Sequence, residues 1–156
     1  AIRERTHDDP ERRPKVRMFH VPKEGDGVPI ARRIVKRGTV MHADEGTQWG
    51  PLEMYFDTKR IDHSKSYSDG IACTNGVESV FSRLRCGERG VYRYFTKAYA
   101  ERYGWEMAWR EEYRRVDNGS QVDILIGSAL RSRTSRMAGY WQRHKPANDL
   151  FDPIAA

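Results

Sequence analysis

The sequence predicts an α/β fold, a mixed sheet flanked by helices, and three observations carry that prediction. Short β-prone runs lie at 15–21, 39–43 and 58–63, with the alternation or β-branched content of strands. Segments with apolar residues at helical spacing lie at 28–37, 47–56, 77–84 and 91–116, interleaved with and following those runs. The 156 residues include eight Tyr, five Phe and four Trp, enough chain and apolar material for one domain with a real core.

In chain order, 7–14 is charged with two prolines and reads as a loop, and KVRMFHV at 15–21 alternates with Val16, Met18 and His20 on one face. Residues 22–27 form a turn, and 28–37 form a short basic helix through Ile30, Ile34 and Val35, closed by Gly38 in the way glycine closes helices. Its Arg32, Arg33, Lys36 and Arg37 are open to two readings, phosphate contacts or a solvated helix face. Residues 39–43 form a strand that runs straight into Asp44, and 47–56 form a helix whose Trp49, Leu52, Met54, Tyr55 and Phe56 supply core. Residues 58–63 form a charged edge strand, and 64–70 form a polar loop with Tyr67 and Asp69. His63 reads as a loop hydrogen-bonding residue more readily than as a ligand.

The stretch 69–85 opens as a turn and becomes an amphipathic helix, with Val77, Val80, Phe81 and Leu84 as one apolar stripe. Glu78 and Arg85, seven residues apart, share one edge of that stripe, and Gly87 and Gly90 interrupt the helix. Residues 91–116 then read as one long helix, with an aromatic row of Phe95, Tyr99 and Tyr103 and a second of Trp105, Trp109 and Tyr113. Rows at this spacing point to core packing ahead of a base-stacking platform. Asn118 and Gly119 stop that helix, and 120–132 form a further one with Val122, Ile124, Leu125, Ile126, Ala129 and Leu130 as its apolar set. The sequence from 131 onward is a basic, aromatic extension and tail, so the expected division is a domain over 1–130 followed by 131–156.

Lys and Arg number 28 against 22 Asp and Glu, a net charge of +6. That balance favours an anionic partner, nucleic acid first, although ordinary soluble domains share it. No run approaches 18 apolar residues and the N-terminus carries no apolar signal-peptide core, so no membrane span is predicted and a cytoplasmic, nucleoid-associated location is expected. The spacing of Cys73 and Cys86 fits no zinc pattern, and two buried free thiols are expected. There is no repeat, P-loop, GxGxxG, HExxH or GxSxG.

Asp44 and Glu78 stand out as candidates. A carboxylate at the C-terminal end of a strand lies where α/β folds place their sites, and Asp44 capping the next helix is the competing reading. Glu78 has a local alternative too, as the acidic member of a variant capping box begun by Asn75, with Arg85 a surface charge. The element order, strands, a helix, a strand ending in Asp44, a helix, a strand and the Glu78 helix, matches a ribonuclease-H-like mixed sheet from its second strand onward, with the first strand missing. Two acids so placed suit magnesium phosphoryl transfer, because Mg²⁺ takes hard oxygen ligands and keeps several waters.

The blocks GTVMHADE, KRIDHSKSYSDGIACTNGVESVFSRLR, YGWEMAWREEYRR with the following NG, and SRMAGYWQR stand in order from about residue 34 to 143. Together they resemble the catalytic domain of bacterial insertion-sequence transposases of the DDE class, ISXO-like group. The resemblance implies DNA cleavage and strand transfer, with Asp44 and Glu78 as catalytic metal ligands for Mg²⁺ or Mn²⁺ and with Arg85 and Asn75 holding DNA. It also implies transposon ends and target DNA as partners, and allows a homo-oligomer. The family's first aspartate belongs to a strand upstream of Ala1, and Asp8, Asp9 and Asp26 lie in loop-like sequence. The chain is therefore expected to be N-terminally truncated and inactive alone. A non-catalytic DNA-binding remnant is the alternative, and an unrelated basic protein the third reading.

Overall fold

The computed structural model describes residues 1–6, 12–61 and 74–132, apart from the side chain of Ala98. Readings of Asp8, Asp9, His63, Tyr67, Asp69, Cys73 and the block SRMAGYWQR fall outside those residues. The elements are β1 (Ile2–Arg3), β2 (Val16–Arg17), α1 (Gly27–Ile34), β3 (Val40–Asp44), β4 (Asp57–Ile61), α2 (Asn75–Gly90), α3 (Lys97–Tyr113) and α4 (Asn118–Arg131), with 3-10 turns at Glu24–Asp26 and Thr47–Met54. The fold is mixed α/β. Among the described residues its strands form two separate two-stranded sheets, β1 antiparallel to β2 and β3 parallel to β4.

β1 is the element that the residue pattern did not announce. Its two residues pair Ile2 with Arg17 and Arg3 with Val16. Glu4 N–H extends the pairing to the Lys15 carbonyl at 2.8 Å. The strand expected over 15–21 contracts accordingly, because so short a partner provides few rungs. Val16 and Met18 are buried as its alternation implies, while His20 is exposed.

α1 stops at Ile34, short of the expected residue 37. Val35 turns into extended backbone and packs against the cluster formed by Val28, Ala31, Ala43, Leu52 and Phe56. Gly38 instead serves the following turn: its φ of 78° suits the third position, and Thr39 N–H closes that turn on the Lys36 carbonyl at 3.2 Å. Residues 47–54 are a 3-10 segment rather than an α-helix. Pro51 lies inside it and lacks the N–H that an α-helical ladder needs.

α2 runs unbroken through Gly87 and ends at Gly90. Gly87 is there to admit a ring: a Cβ on it would meet Tyr92 Cε2 at 3.0 Å. The chain then breaks where helix was expected. Arg93 takes φ 57°, and α3 begins only after Thr96, whose extended backbone occupies the cap position. Phe95 and Tyr92 fold back onto Tyr103, with centroids 4.9 and 4.5 Å from it. Asn118 and Gly119 begin α4 instead of stopping α3, since Asp117 caps that helix by accepting from Ser120 N–H at 3.0 Å.

Among the described residues two clusters make the core. Val28, Ala31, Ala43, Leu52 and Phe56 form one, with Ile2, Met41 and Trp49 packed against it. Val16, Met18, Val80, Met107 and Ala108 form the other, with Leu84 at its margin. Val16 and Val80 are fully buried, each worth roughly 1.5–3 kcal/mol. The buried stripe of α3 is Gly104, Met107, Ala108 and Glu111, and the two aromatic rows flank it half-buried. Trp109 still stacks on Tyr113 at 4.9 Å, and the Arg13 guanidinium lies 4.6 Å from the Tyr113 ring centre. The apolar set expected to bury α4 does not: Val122, Leu125, Ile126 and Leu130 are at least half exposed. Cys86 is a free thiol as expected, but exposed on α2 rather than buried.

Candidate functional site

Asp44 ends β3. Side chains alternate along a strand. Met41 and Ala43 pack into the first cluster, which leaves Val40, His42 and Asp44 to the other face. Asp44 is exposed, beside its buried register partner Ile61. Its carboxylate does not cap the following 3-10 segment, whose cap is Gly46 without a side-chain bond. Instead Oδ1 accepts from Gly46 N–H at 3.1 Å, bending the chain away from the strand end. Two residues back, His42 receives Arg5, whose Nη1 lies 2.9 Å from Nε2.

Glu78 stands in the first turn of α2, exposed, with its backbone N–H bonded to the Thr74 carbonyl at 3.2 Å. The cap position is Thr74, not Asn75, so the Asn75 capping box does not form. Thr74 Oγ1 donates to Glu78 Oε1 at 2.7 Å and aims the carboxylate. Sequence reasoning missed this hydroxyl; the four-residue step from Thr74 to Glu78 was the available signal. Asn75 is the first residue of the helix and is exposed. Arg85 is exposed as well, about 10 Å further along the axis by helical rise, and pairs with no described residue.

The helix bearing Glu78 is held by a buried charge. Glu111 of α3 is 4% exposed and takes two guanidinium nitrogens of Arg83 from α2: Nη2 donates to Oε2 at 2.7 Å, and Nε pairs with Oε1. Arg3 of β1 approaches the same carboxylate at 3.7 Å, and its Nη1 donates at 2.9 Å to the Gly76 carbonyl in the first turn of α2. Burial lowers the Arg3 guanidinium below its ordinary pKa, Glu111 opposes that, and the neighbouring Arg114, Arg83 and Arg115 add to it. On the outer side, Glu112 accepts from Val16 N–H and from Arg17, each at 2.7 Å, and so ties β2 to α3.

Asp44 and Glu78 thus stand on elements that pack into different core clusters, β3 through Ala43 and α2 through Val80, and β1 touches both. Both are exposed carboxylates, hard oxygen donors of the kind Mg²⁺ takes with waters completing its shell. Among the described residues no group of three His, Cys, Asp or Glu gathers as a metal cage. No helix among them is long and apolar enough to cross a membrane.

The described residues define a mixed α/β domain in a basic chain, with one exposed acid ending a parallel strand and a second in the first turn of a helix. Comparison with known families specifies it: residues 1–112 match the ISXO2-like transposase domain, and the chain belongs to that family of insertion-sequence transposases. The match takes in β1, α1 and the cluster between them, well upstream of residue 34, and closes one residue short of the end of α3. No curated protein and no solved structure matches the chain.

Proposed function

We propose that this domain cleaves DNA and transfers strands at the ends of an insertion sequence, with Asp44 and Glu78 as metal ligands in a ribonuclease-H-like frame. The observation that carries the reading is the pair of exposed carboxylates inside the matched region, one closing β3 and one opening α2. Mg²⁺ or Mn²⁺, when bound, supplies activation of the attacking oxygen and neutralisation of the leaving one. The residues do the rest. Thr74 orients Glu78, the Gly46 amide orients Asp44, and Arg85 offers a guanidinium to a phosphate about two helical turns beyond Glu78. Asn75, beside the positive end of the α2 dipole, donates to a phosphate or a base. An antiparallel strand pair followed by a parallel pair supports the ribonuclease-H-like reading.

We propose that catalysis needs a third acid beside Asp44 and Glu78, and that the 156 residues alone are inactive. A strand-transfer assay with Mg²⁺ or Mn²⁺ on this chain and on a version extended upstream tests the split. Activity is expected only from the extended protein, lost with Asp44→Asn or Glu78→Gln. Each substitution removes several kcal/mol of transition-state stabilisation, at least about 10²-fold in rate. Robust turnover by the shorter chain sinks the inactivity claim. A second reading, a DNA-binding remnant without chemistry, is favoured by the acid-free basic surface of α1. DNA affinity without metal dependence, and unchanged by Asp44→Ala and Glu78→Ala in both forms, would select it.

A further inference from the structure

The last turn of α1 and the residues after it expose Arg32, Arg33, Lys36 and Arg37. Among the described residues no carboxylate pairs with any of the four. Asp57 pairs with Lys59 at 3.1 Å and Glu53 with Arg60 at 3.5 Å. Basic residues in the last helical turn complement the macrodipole, which accounts for Arg32 and Arg33. Lys36 and Arg37 lie beyond that turn, and the dipole does not account for them.

Beside these charges lies a groove of about 340 Å³ lined by Pro29, Pro51 and Met54 together with Arg32, Arg33 and Tyr55. Met54 is 67% exposed there. The Arg32 guanidinium lies 4.7 Å from the Tyr55 ring centre, and its Nη1 reaches the phenol oxygen at 3.4 Å. A hollow of about 150 Å³ shares both residues and adds Arg37 and Phe56. A flat apolar lining, an aromatic ring and three guanidiniums without an acid match a strand whose units alternate an apolar face with a negative charge. In duplex DNA the base faces are stacked away, so the apolar lining gains a partner only from an unpaired strand.

We infer that this groove is a subsite for unpaired DNA, seating one base against Met54 and Tyr55 while Arg32, Arg33 and Arg37 hold the flanking phosphates. It rests on the DNA reading above and adds to it a place, built from residues other than Asp44 and Glu78, and a preference for single strands. The test is fluorescence anisotropy of the full 156-residue chain with a labelled 20-nucleotide strand and the matching duplex, from about 50 to 200 mM NaCl. Arg33→Ala/Arg37→Ala is expected to weaken single-strand binding about tenfold and to flatten its salt slope by about 1.4, two phosphate contacts at roughly 0.7 each. Met54→Ser is expected to weaken it about fivefold, the low end of one base stack, and to leave the duplex unchanged. The charge-matched control Arg89→Ala/Arg131→Ala, at exposed positions outside the groove, is expected to stay within about twofold. If wild type binds neither DNA at low salt, the DNA reading and this one fall together. If wild type binds and the groove variants match it, or the control loses as much, this one alone is overturned. Loss of binding to phosphatidylserine vesicles with DNA binding intact would give the groove to a membrane surface and overturn it too.

Discussion

Replacing Glu111 by Gln keeps the volume and removes the charge, and the structure sets the size of the effect. The Glu111 side chain is 2% exposed, and those of its partners Arg83 and Arg3 keep 37% and 19% exposure. Deleting one partner of a buried ion pair costs roughly 3–5 kcal/mol, whereas an exposed pair is worth only about 0.2–1 kcal/mol. Arg83 can rehydrate through its exposed part, and an amide oxygen still accepts one of its hydrogen bonds. A loss of about 2 kcal/mol is therefore expected, between the two limits. For a chain of this size that is a fall of roughly 4–8 °C in Tm. Urea denaturation followed by circular dichroism and tryptophan fluorescence measures it. Glu111→Met/Arg83→Met, which removes the pair together, is expected to recover about half of the loss. A Glu111→Gln protein within about 0.5 kcal/mol of wild type, the range of an ordinary surface change, would refute the reasoning.

Three further outcomes are expected. Ser120 holds the Asp117 carboxyl below its ordinary pKa, so its stabilisation of α4 is complete above about pH 4 and fades as pH falls through the lower folded value. Far-UV circular dichroism should show an acid loss of helicity that Asp117→Asn abolishes. Gly87→Ala should lower stability despite a helix-propensity gain of about 1 kcal/mol, because the new methyl meets the Tyr92 ring at 3.0 Å; a higher urea midpoint would contradict this. Tyr92 itself is raised above the ordinary phenol pKa, chiefly by burial and then by its bond to Glu106, so an ultraviolet pH titration of wild type against Tyr92→Phe should assign a late-ionising phenol to it.

The candidate acids were legible because each sits at an element boundary, and boundaries show in local sequence. Asp44 ends a β-prone run, and Glu78 follows Val77, the first residue of a 3.6-residue stripe. The phase of α3 was not legible. Trp105 and Trp109 have the same period as Gly104 and Ala108 but lie one residue, about 100°, round the helix. Large aromatic side chains drew the prediction, while the close approach of α2 and β2 selected the small residues. Glu111 and Glu112 look alike in sequence, yet one is the buried counter-charge of α2 and the other ties down β2. That choice depends on partners some 28 and 96 residues away. Composition equally suggested two buried thiols, and Cys86 is exposed because it lies on the polar side of α2.

The least legible element, β1, has the most to do with the relation between the two acids. Ile2 packs against the cluster that includes Ala43, next to Asp44 on β3, Arg3 bonds Gly76 at the start of the helix that carries Glu78, and Arg5 reaches His42 on β3. Two consecutive residues therefore face the two halves of the core. Arg3→Met keeps most of the aliphatic packing of the side chain and removes its donors, so it separates charge and hydrogen bonding from bulk. Its bond to the Gly76 carbonyl is partly buried, worth about 1.5–3 kcal/mol when the donor is charged. The loss should concentrate at the N-terminus of α2, because the Val80 cluster packs the helix independently further along. Hydrogen exchange at the Val77 and Glu78 amides, both bonded to the Thr74 carbonyl, should accelerate about tenfold or more, while the amides of the β3–β4 pair stay as they were. Uniform acceleration across the chain would mean that Arg3 serves global stability alone. Unchanged exchange at both amides would mean that the first turn of α2 holds itself.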